Sequence, residues 1–293
     1  VAGTAAVTDW ADEAWPQAVV PGALHVVSTP IGHLGDITLR GLAVLRQAAL
    51  VCCEDTRHTR PLLERYGITT PTQSLHEHNE ARVIPGVLER LRAGEAVALV
   101  SDAGTPLVSD PGQRAVEAVV RAGGRVVPVP GPSATLAALV AAGLPALPYT
   151  MLGFLPRKGR ERQEQLGLAA GLPHTVVLFE APGRVADTLR DLAAVAGDER
   201  PVVVARELTK HFEELRRGTL AQVAAYAEEV PPRGEVVLVL GGAPAEAAPA
   251  EEALEALAAA WRAEGVPPRE LQRRLVELHG ASRNLAYRLA HSR

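Results

Sequence analysis

AVALVSDAGTPLVSDPGQRAVEAVVRAGGRVVPVPGPSATLAAL, residues 96–139, reads as strand, loop, helix, strand, loop, helix. AVALVS (96–101) and RVVPV (125–129) are short β-branched runs, and the segments at 111–123 and 133–143 carry the Ala, Leu and Arg of helices. Each run breaks into a loop stiffened by proline and bent at glycine before the next helix begins. Strands that alternate with helices of this length form a parallel sheet, because two neighbouring parallel strands need a crossover. In such sheets ligands sit beyond the carboxyl ends of the strands. The loops SDAGTPLVSDPG (101–112) and PVPGPSATLAAL (128–139) are therefore the first places to look for chemistry.

Outward from this stretch the alternation continues. LHVVST (24–29), ALVCCE (49–54) and QSLH (73–76) are further strands, with helices near 38–48, 56–66 and 80–93. A second series begins near residue 150, with YTMLGF, TVVLFE (175–180), PVVVAR (201–206), FEELRRG (212–218) and EVVLVLG (235–241). Its strands lie closer together in the chain, which predicts a mixed sheet. The expected fold class is α/β, with a leader over 1–22, an N-terminal α/β domain over 23–147 and a C-terminal α/β domain over 148–242. A linker and helical extension follow over 243–293. The boundary is placed in LPALPY (144–149), and GGAPAEAAPAEE (241–252) is the linker. Helices near 251–264, 268–279 and 283–290 complete the extension, whose last 33 residues hold seven arginines against three glutamates.

The 293 residues are 47% apolar, the composition of a globular protein. Thirty basic residues against 34 acidic ones give a formal charge of −4, so no global basic field draws the chain onto nucleic acid. The run 133–149 is cut by prolines at 145 and 148, and neither a membrane span nor a secretory signal is expected. Cys52 and Cys53 are neighbours on a strand and face opposite ways, which excludes an ordinary disulfide between them. A reducing, cytoplasmic setting is expected.

Several loops carry candidate chemistry. STPIGHLGDITLR (28–40) is a tight βα turn in which Asp36 or Thr38 can cap the next helix. In 101–112, Asp110 reads as the cap of a helix opening at Pro111, whereas Asp102 is too far from that helix and reads as a ligand contact. Ser133 is placed to cap a helix or to touch a ligand. CEDTRHTR (53–60) and FLPRKGRER (154–162) are charged loops, and the second can hold a phosphate backbone. His76 and His78 share a face if their strand runs through them, but lack further ligands at a metal spacing, so no metal is expected. No G-x-G-x-x-G, no G-x-x-x-x-G-K-[ST] and no G-x-S-x-G occurs, which excludes the usual dinucleotide, P-loop and hydrolase signatures.

LHVVSTPIGHLGDITLRGL, EDTRHT, LHEHNE, ALVSDAGTPLVSDPG, VPVPGPSA, GFLPRKGRER and ARELTKHFEEL occur here in order. From about Leu24 onward the chain resembles the bacterial ribosomal RNA small-subunit methyltransferase I family, within the tetrapyrrole methylase superfamily. The resemblance implies two α/β domains with S-adenosylmethionine in the cleft between them, and a homodimer. It implies methylation of a cytidine ribose 2′-hydroxyl in the decoding region of 16S rRNA, in the 30S subunit or as bare RNA. By position it implies cofactor contacts at Pro30, Ile31, Asp102, Gly104, Pro106, Leu107, Ser133 and Ala134, and on the second domain at Phe179, Arg206 and Glu235. HGASRNLAYRLA (279–290) is similar to the family's helical extension, an expected RNA-binding piece. The chain departs from the family at His33, where asparagine is common, and at Ala181 and Gly183, where a serine and a histidine follow the glutamate.

For a general base, strand-end placement offers Asp55, His58 and Glu180. Arg57, Arg157, Lys158, Arg160 and the tail arginines are expected at RNA phosphates. The competing readings are a methyltransferase of corrinoid or porphyrin precursors, which leaves the basic loop and tail unexplained, and a non-catalytic RNA-binding, ribosome-associated protein.

Overall fold

The computed structural model describes residues 17–244 and 251–291. Most of the expected leader and part of the expected linker lie outside the described residues. The chain divides into two compact units between Gly241 and Gly242.

The first unit holds two five-stranded sheets. Sheet one is formed by β1 (Ala23–Val27), β2 (Leu50–Cys53), β3 (Thr72–Ser74), β4 (Val97–Val100) and β5 (Arg125–Val129), in the order β3-β2-β4-β1-β5. Every pairing is parallel. The central strands β2 and β4 are buried along their whole length, as a sheet covered by helices on both faces requires. Successive side chains feed two cores: Val27, Val51, Cys53, Ala98 and Val100 on one face, Leu24, Leu50, Cys52, Val97 and Leu99 on the other. The two cysteines are free and point into opposite cores, and burial pushes the Cys52 thiol up to about 12.

The crossovers are α1 (Leu39–Gln47), α2 (Thr56–Arg65), α3 (Glu80–Arg92) and α4 (Gln113–Arg121). From β1 the chain passes over β4 to reach β2, and from β4 it passes over β1 to reach β5. Neighbouring strands β1 and β4 thus send their connections in opposite directions, and the crevice left between them is the expected ligand position of an open parallel sheet.

Sheet two comprises β6 (Tyr149–Phe154), β7 (Thr175–Glu180), β8 (Pro201–Arg206), β9 (Glu214–Thr219) and β10 (Val236–Leu240), in the order β6-β7-β10-β8-β9. It is mixed: β6 and β7 are parallel and the other three pairings antiparallel. Three helices not read from the sequence lie between its strands: α6 (Arg160–Gly171), α7 (Val185–Ala196) and α8 (Leu220–Glu229). The helix that follows β5, α5 (Ala134–Ala142), lays Ala138, Leu139 and Ala142 on Val177, Val203, Val237 and Val239 of sheet two. Small residues let helix and sheet approach closely, and the two sheets become one unit through this contact.

The second unit contains α9 (Glu251–Ala263), α10 (Pro268–His279) and α11 (Arg283–His291), packed around Leu254, Ala258, Leu271, Leu275 and Leu289. Glu270 pairs with Arg273 and Arg274, and Glu251 with Arg288.

Two local expectations need correction. The strand at 72–74 ends before His76, because Asn79 folds back, accepting from the His76 N–H at 2.8 Å and donating to the Ser74 carbonyl at 3.0 Å. His76 and His78 therefore share no strand face. Helix α4 opens at Gln113, not Pro111; its N-cap is Gly112, whose N–H donates to the buried Glu80 Oε1 at 2.9 Å. Glu80 occupies the capping role assigned to Asp110. Gly112 has φ 114°, and an added Cβ would stand 2.9 Å from Leu99 Cδ2. Gly112→Ala is expected to lower stability by roughly 1–3 kcal/mol, read as a lower urea midpoint with an unchanged slope; an unmoved midpoint would contradict this loop geometry.

Candidate active site

Three loops meet at the carboxyl ends of β1, β4 and β5. Thr29 and Gly104 exchange two backbone hydrogen bonds, Thr29 N–H to Gly104 O at 2.8 Å and Gly104 N–H to Thr29 O at 3.0 Å. Thr105 Oγ1 donates to the Pro132 carbonyl at 3.0 Å and lies 2.9 Å from Ser28 Oγ. Gly104 has φ 79°, and an added Cβ would stand 3.2 Å from Ile31. Glycine is needed there both for its backbone angle and for the close packing.

Against these loops lies a cavity of about 360 Å³, within the roughly 300–1,000 Å³ of small-molecule sites. Ile31, Val108, Val236 and Val237 give it an apolar wall, with Phe154 and Phe179 as a tilted aromatic pair 5.6 Å apart. Its ionisable lining consists of Asp110, Glu180 and Glu235. Burial pushes the Asp110 carboxyl up to about 6, aided by the charges of Glu54, Asp102 and Glu235 and opposed by a hydrogen bond from Ser101.

A second, more polar cavity of about 320 Å³ shares Ile31, Ala103 and Glu235 with the first. It contains His58, at the start of α2, whose Nδ1 lies 2.6 Å from Asp102 Oδ2. Asp102 Oδ1 accepts from the Asp55 N–H at 3.0 Å, which holds the carboxylate against the imidazole. The Asp102 carboxylate raises the His58 pKa above its ordinary value of 6.5. Orientation of a histidine through Nδ1 leaves Nε2 to exchange a proton with whatever enters.

Lys210 closes the second cavity. Its Nζ donates to Glu207 Oε1 and Glu235 Oε2, both at 2.9 Å, and its side chain crosses Gly32 so closely that a Cβ there would stand 2.4 Å from Lys210 Cγ. Glu207 and Thr209 adopt left-handed backbone angles, φ 51° and 64°. Thr209 Oγ1 accepts from the His33 N–H at 3.0 Å, which ties the turn after β8 to the loop after β1.

The residues named from sequence separate into groups. Ile31, Gly104, Ser133, Ala134, Phe179 and Glu235 line the first cavity, and Ser133 also caps α5 through the Leu136 N–H. Pro30 and Asp102 line the second cavity instead. Pro106 and Leu107 line neither; Leu107, at φ 74°, shapes the turn. Arg206 lies elsewhere, since side chains alternate along β8: Val203 and Ala205 face α5, while Val204 and Arg206 face the opposite side. There Arg206 pairs with Glu214 at 3.1 Å in a separate cavity.

Among the candidate bases, Asp55 is the N-cap of α2 and is gripped by Arg57, whose guanidinium holds its carboxyl well below the usual carboxylate range. Glu180 is buried and saturated: Oε1 accepts from the Ala181 N–H and lies 3.3 Å from Arg184 Nε, and Oε2 accepts from Thr188 Oγ1 at 2.6 Å. Only His58 keeps a free basic atom in an open cavity. Arg57 is exposed but spent on Asp55, and Arg160 pairs with Glu164. Arg157 and Lys158 are exposed with no ion-pair partner among the described residues. Sequence reasoning missed Asp110 as a cavity residue and Lys210 as the clasp; the position of ELTK directly after the strand at 201–206 was the available signal for Lys210.

The region 23–224 matches the family of Tetrapyrrole (Corrin/Porphyrin) Methylases. Proteins called ribosomal RNA small subunit methyltransferase I are close in sequence. That of Xylella fastidiosa (strain Temecula1) is 46% identical over 91% of this chain and 98% of its own length. That of Escherichia coli O157:H7 is 43% identical over 92% and 94%. Among solved structures, a cobalt precorrin-4 methyltransferase of cobalamin biosynthesis shares the fold with a TM-score of 0.59 and 23% identity, over 75% of this chain and 95% of that one. Uroporphyrin-III C-methyltransferase of Thermus thermophilus, complexed with S-adenosyl homocysteine, does so with a TM-score of 0.56 and 21% identity, over 75% and 97%. With two loop-built cavities on a fold of this kind and such relatives along nearly its whole length, the chain belongs to the tetrapyrrole methylase family, in the branch of the ribosomal RNA small subunit methyltransferases I.

Proposed function

We propose that this protein is an S-adenosylmethionine-dependent methyltransferase that methylates a cytidine ribose 2′-hydroxyl in the decoding region of 16S rRNA. The observation that carries the reading is the pair of adjoining cavities, one apolar with carboxylates, the other built around a histidine–aspartate pair. The first suits the cofactor. Phe179, Phe154 and the valines offer an apolar bed for the adenine, while Ser133, Glu235 and Asp110 offer polar groups for the rest. S-adenosylmethionine, when bound, supplies a methyl group already activated on a sulfonium sulfur. The protein's task is then chiefly positioning, which can supply a large part of the barrier reduction.

The second cavity suits the acceptor ribose. His58 Nε2 takes the hydroxyl proton, Asp102 holds the ring and stabilises the imidazolium that forms, and Lys210 with Glu235 closes the floor between the cavities. Asp55 and Glu180, satisfied where they stand, organise α2 and the end of β7. Arg157 and Lys158, uncommitted on the rim of sheet two, contact RNA phosphates. Arg269 and Arg283, which have no ion-pair partner among the described residues of the helical unit, do the same. The exposed apolar face of α5, with Leu136 and Val140 one turn apart, supports a homodimer. No helix among the described residues is long and apolar enough to cross a membrane, and a ribosomal substrate supports a cytoplasmic setting.

Methyl transfer to 30S subunits lacking the modification, to bare 16S rRNA and to a tetrapyrrole precursor tests the reading: label on one cytidine ribose is expected, and label on the tetrapyrrole alone would overturn it. His58→Ala should lower kcat by about 10²–10⁴-fold while leaving cofactor affinity intact. Because His58 must be neutral to accept a proton, wild-type kcat/KM should rise with pH through a value above 6.5, and the limb should vanish in the variant. Asp55→Asn, which keeps a capping side chain, should retain turnover; a loss comparable to that of His58→Ala would transfer the base to Asp55. The double charge reversal Arg157→Glu with Lys158→Glu should flatten the salt dependence of RNA binding by about two units of slope. An unchanged slope would remove both from the interface.

A further inference from the structure

Asp110 stands out once the cap of α4 is assigned to Glu80. Its loop is contorted, with left-handed backbone at Leu107 (φ 74°), Ser109 (φ 69°) and Gly112 (φ 114°). The loop reaches sheet two, where an added Cβ at Gly153 would stand 3.0 Å from Ser109 Oγ. Non-glycine residues in that region of backbone space cost about 1–3 kcal/mol each, and here they carry Asp110 to the wall of the first cavity. Among the described residues, no arginine, lysine or histidine lines that cavity. Of its three carboxylates, Glu180 is matched by Arg184 and Glu235 by Lys210. Asp110 has no basic partner among the described residues; the groups acting on it are the Ser101 hydroxyl and the carboxylates of Glu54, Asp102 and Glu235. An unmatched carboxylate in an apolar cavity is a site for a cation that arrives with the ligand.

Resting on the methyltransferase reading above, we propose that Asp110 is the counter-charge to the sulfonium of the bound cofactor, and that it sets the preference for the methyl donor over its demethylated product. The two ligands have the same nucleoside, the same carboxylate and the same amino group. They differ in that the donor's sulfur is cationic and the product's is a neutral thioether. Asp110 therefore favours the donor before transfer and loses its partner afterwards, which promotes product release. The burial that raises the Asp110 pKa supplies a second signature. Donor binding requires the ionised carboxylate, so donor affinity falls as pH falls through about 6, whereas product affinity does not.

Isothermal titration calorimetry of the full chain with S-adenosylmethionine and with S-adenosylhomocysteine tests this without reference to activity. The wild type should bind the donor about fourfold more weakly at pH 5.5 than at pH 7.5, with the product unchanged. Asp110→Asn should weaken the donor about tenfold or more and lose its pH dependence, while keeping product affinity, which also reports that the variant is folded. Asp110→Ser should behave alike, and Asp110→Glu should retain the donor preference. Equal weakening of both ligands would mean that Asp110 meets the shared amino group or acts only structurally, and would overturn the proposal, as would no change in either. A wild-type chain that binds neither ligand would overturn the methyltransferase reading itself, and this inference with it.

Discussion

Two backbone hydrogen bonds between Thr29 and Gly104 hold the site together. They join the loop after β1 to the loop after β4, neighbouring strands of sheet one that send their chains in opposite directions. Without that bridge the two loops would be free to diverge, since nothing in a parallel ladder ties one strand's exit to the next. With it, Ile31 and Ala103 become a shared partition between two cavities, and Thr105 extends the tie to Ser28 and the loop before α5. The bond is main chain to main chain, so it constrains residue type only through Gly104, where a side chain would press on Ile31.

The second sheet is brought to the site by two devices of different character. One is apolar: α5 follows a strand of sheet one yet packs on sheet two, so burial of its alanines is also what brings Phe179 and Val237 opposite the loops. The other is polar: Lys210 reaches across Gly32 to Glu207 and Glu235, and Thr209 takes the His33 N–H. Left-handed backbone at Glu207 and Thr209 is the cost of turning the chain tightly enough for both contacts. Lys210 is partly exposed, and its hydrogen bonds with Glu207 and Glu235 hold its pKa above the ordinary lysine value against desolvation by partial burial. The clasp therefore stays charged across the physiological range.

Most strands were legible because β-branched runs bounded by Gly and Pro leave little choice. YTMLGF, TVVLFE and PVVVAR begin and end as β6, β7 and β8 do. Helices α6, α7 and α8 were less legible; α6, RERQEQLGLAAG, gathers its charges in its first five residues and shows little sequence contrast between faces. The site was legible at the level of loops and not of side-chain direction. Arg206 and Ala205 are adjacent in sequence but lie on opposite faces of a strand, and no pattern at the end of a run says which face meets the cavity. Asp110 next to Pro111 looked like a helix cap on local grounds, and only a glutamate 30 residues earlier in the chain, Glu80, displaces it. Glu180 stands at a strand end, but Arg184 and Thr188, one and two turns later, occupy it.

The distribution of charge resolves a difficulty that composition alone raises. A protein with a formal charge of −4 is ill suited to hold a polyanion, and its two cavities concentrate carboxylates: Asp102, Asp110, Glu180 and Glu235 lie within them. An RNA backbone placed there would be repelled. On the proposed function, a ribose hydroxyl brings no charge and a sulfonium brings a positive one, so an acidic centre suits the two reacting groups while opposing the phosphates on either side. The phosphates must then be taken up away from the centre, and Arg157 and Lys158 are uncommitted cations on an exposed loop between β6 and α6. Attraction at the rim and repulsion at the centre together favour a bound strand in which the target nucleotide is drawn in by its sugar and its neighbours stay outside. That geometry requires the target to be unpaired, and it makes access to the hydroxyl depend on the RNA's local structure as much as on the enzyme's affinity for its backbone.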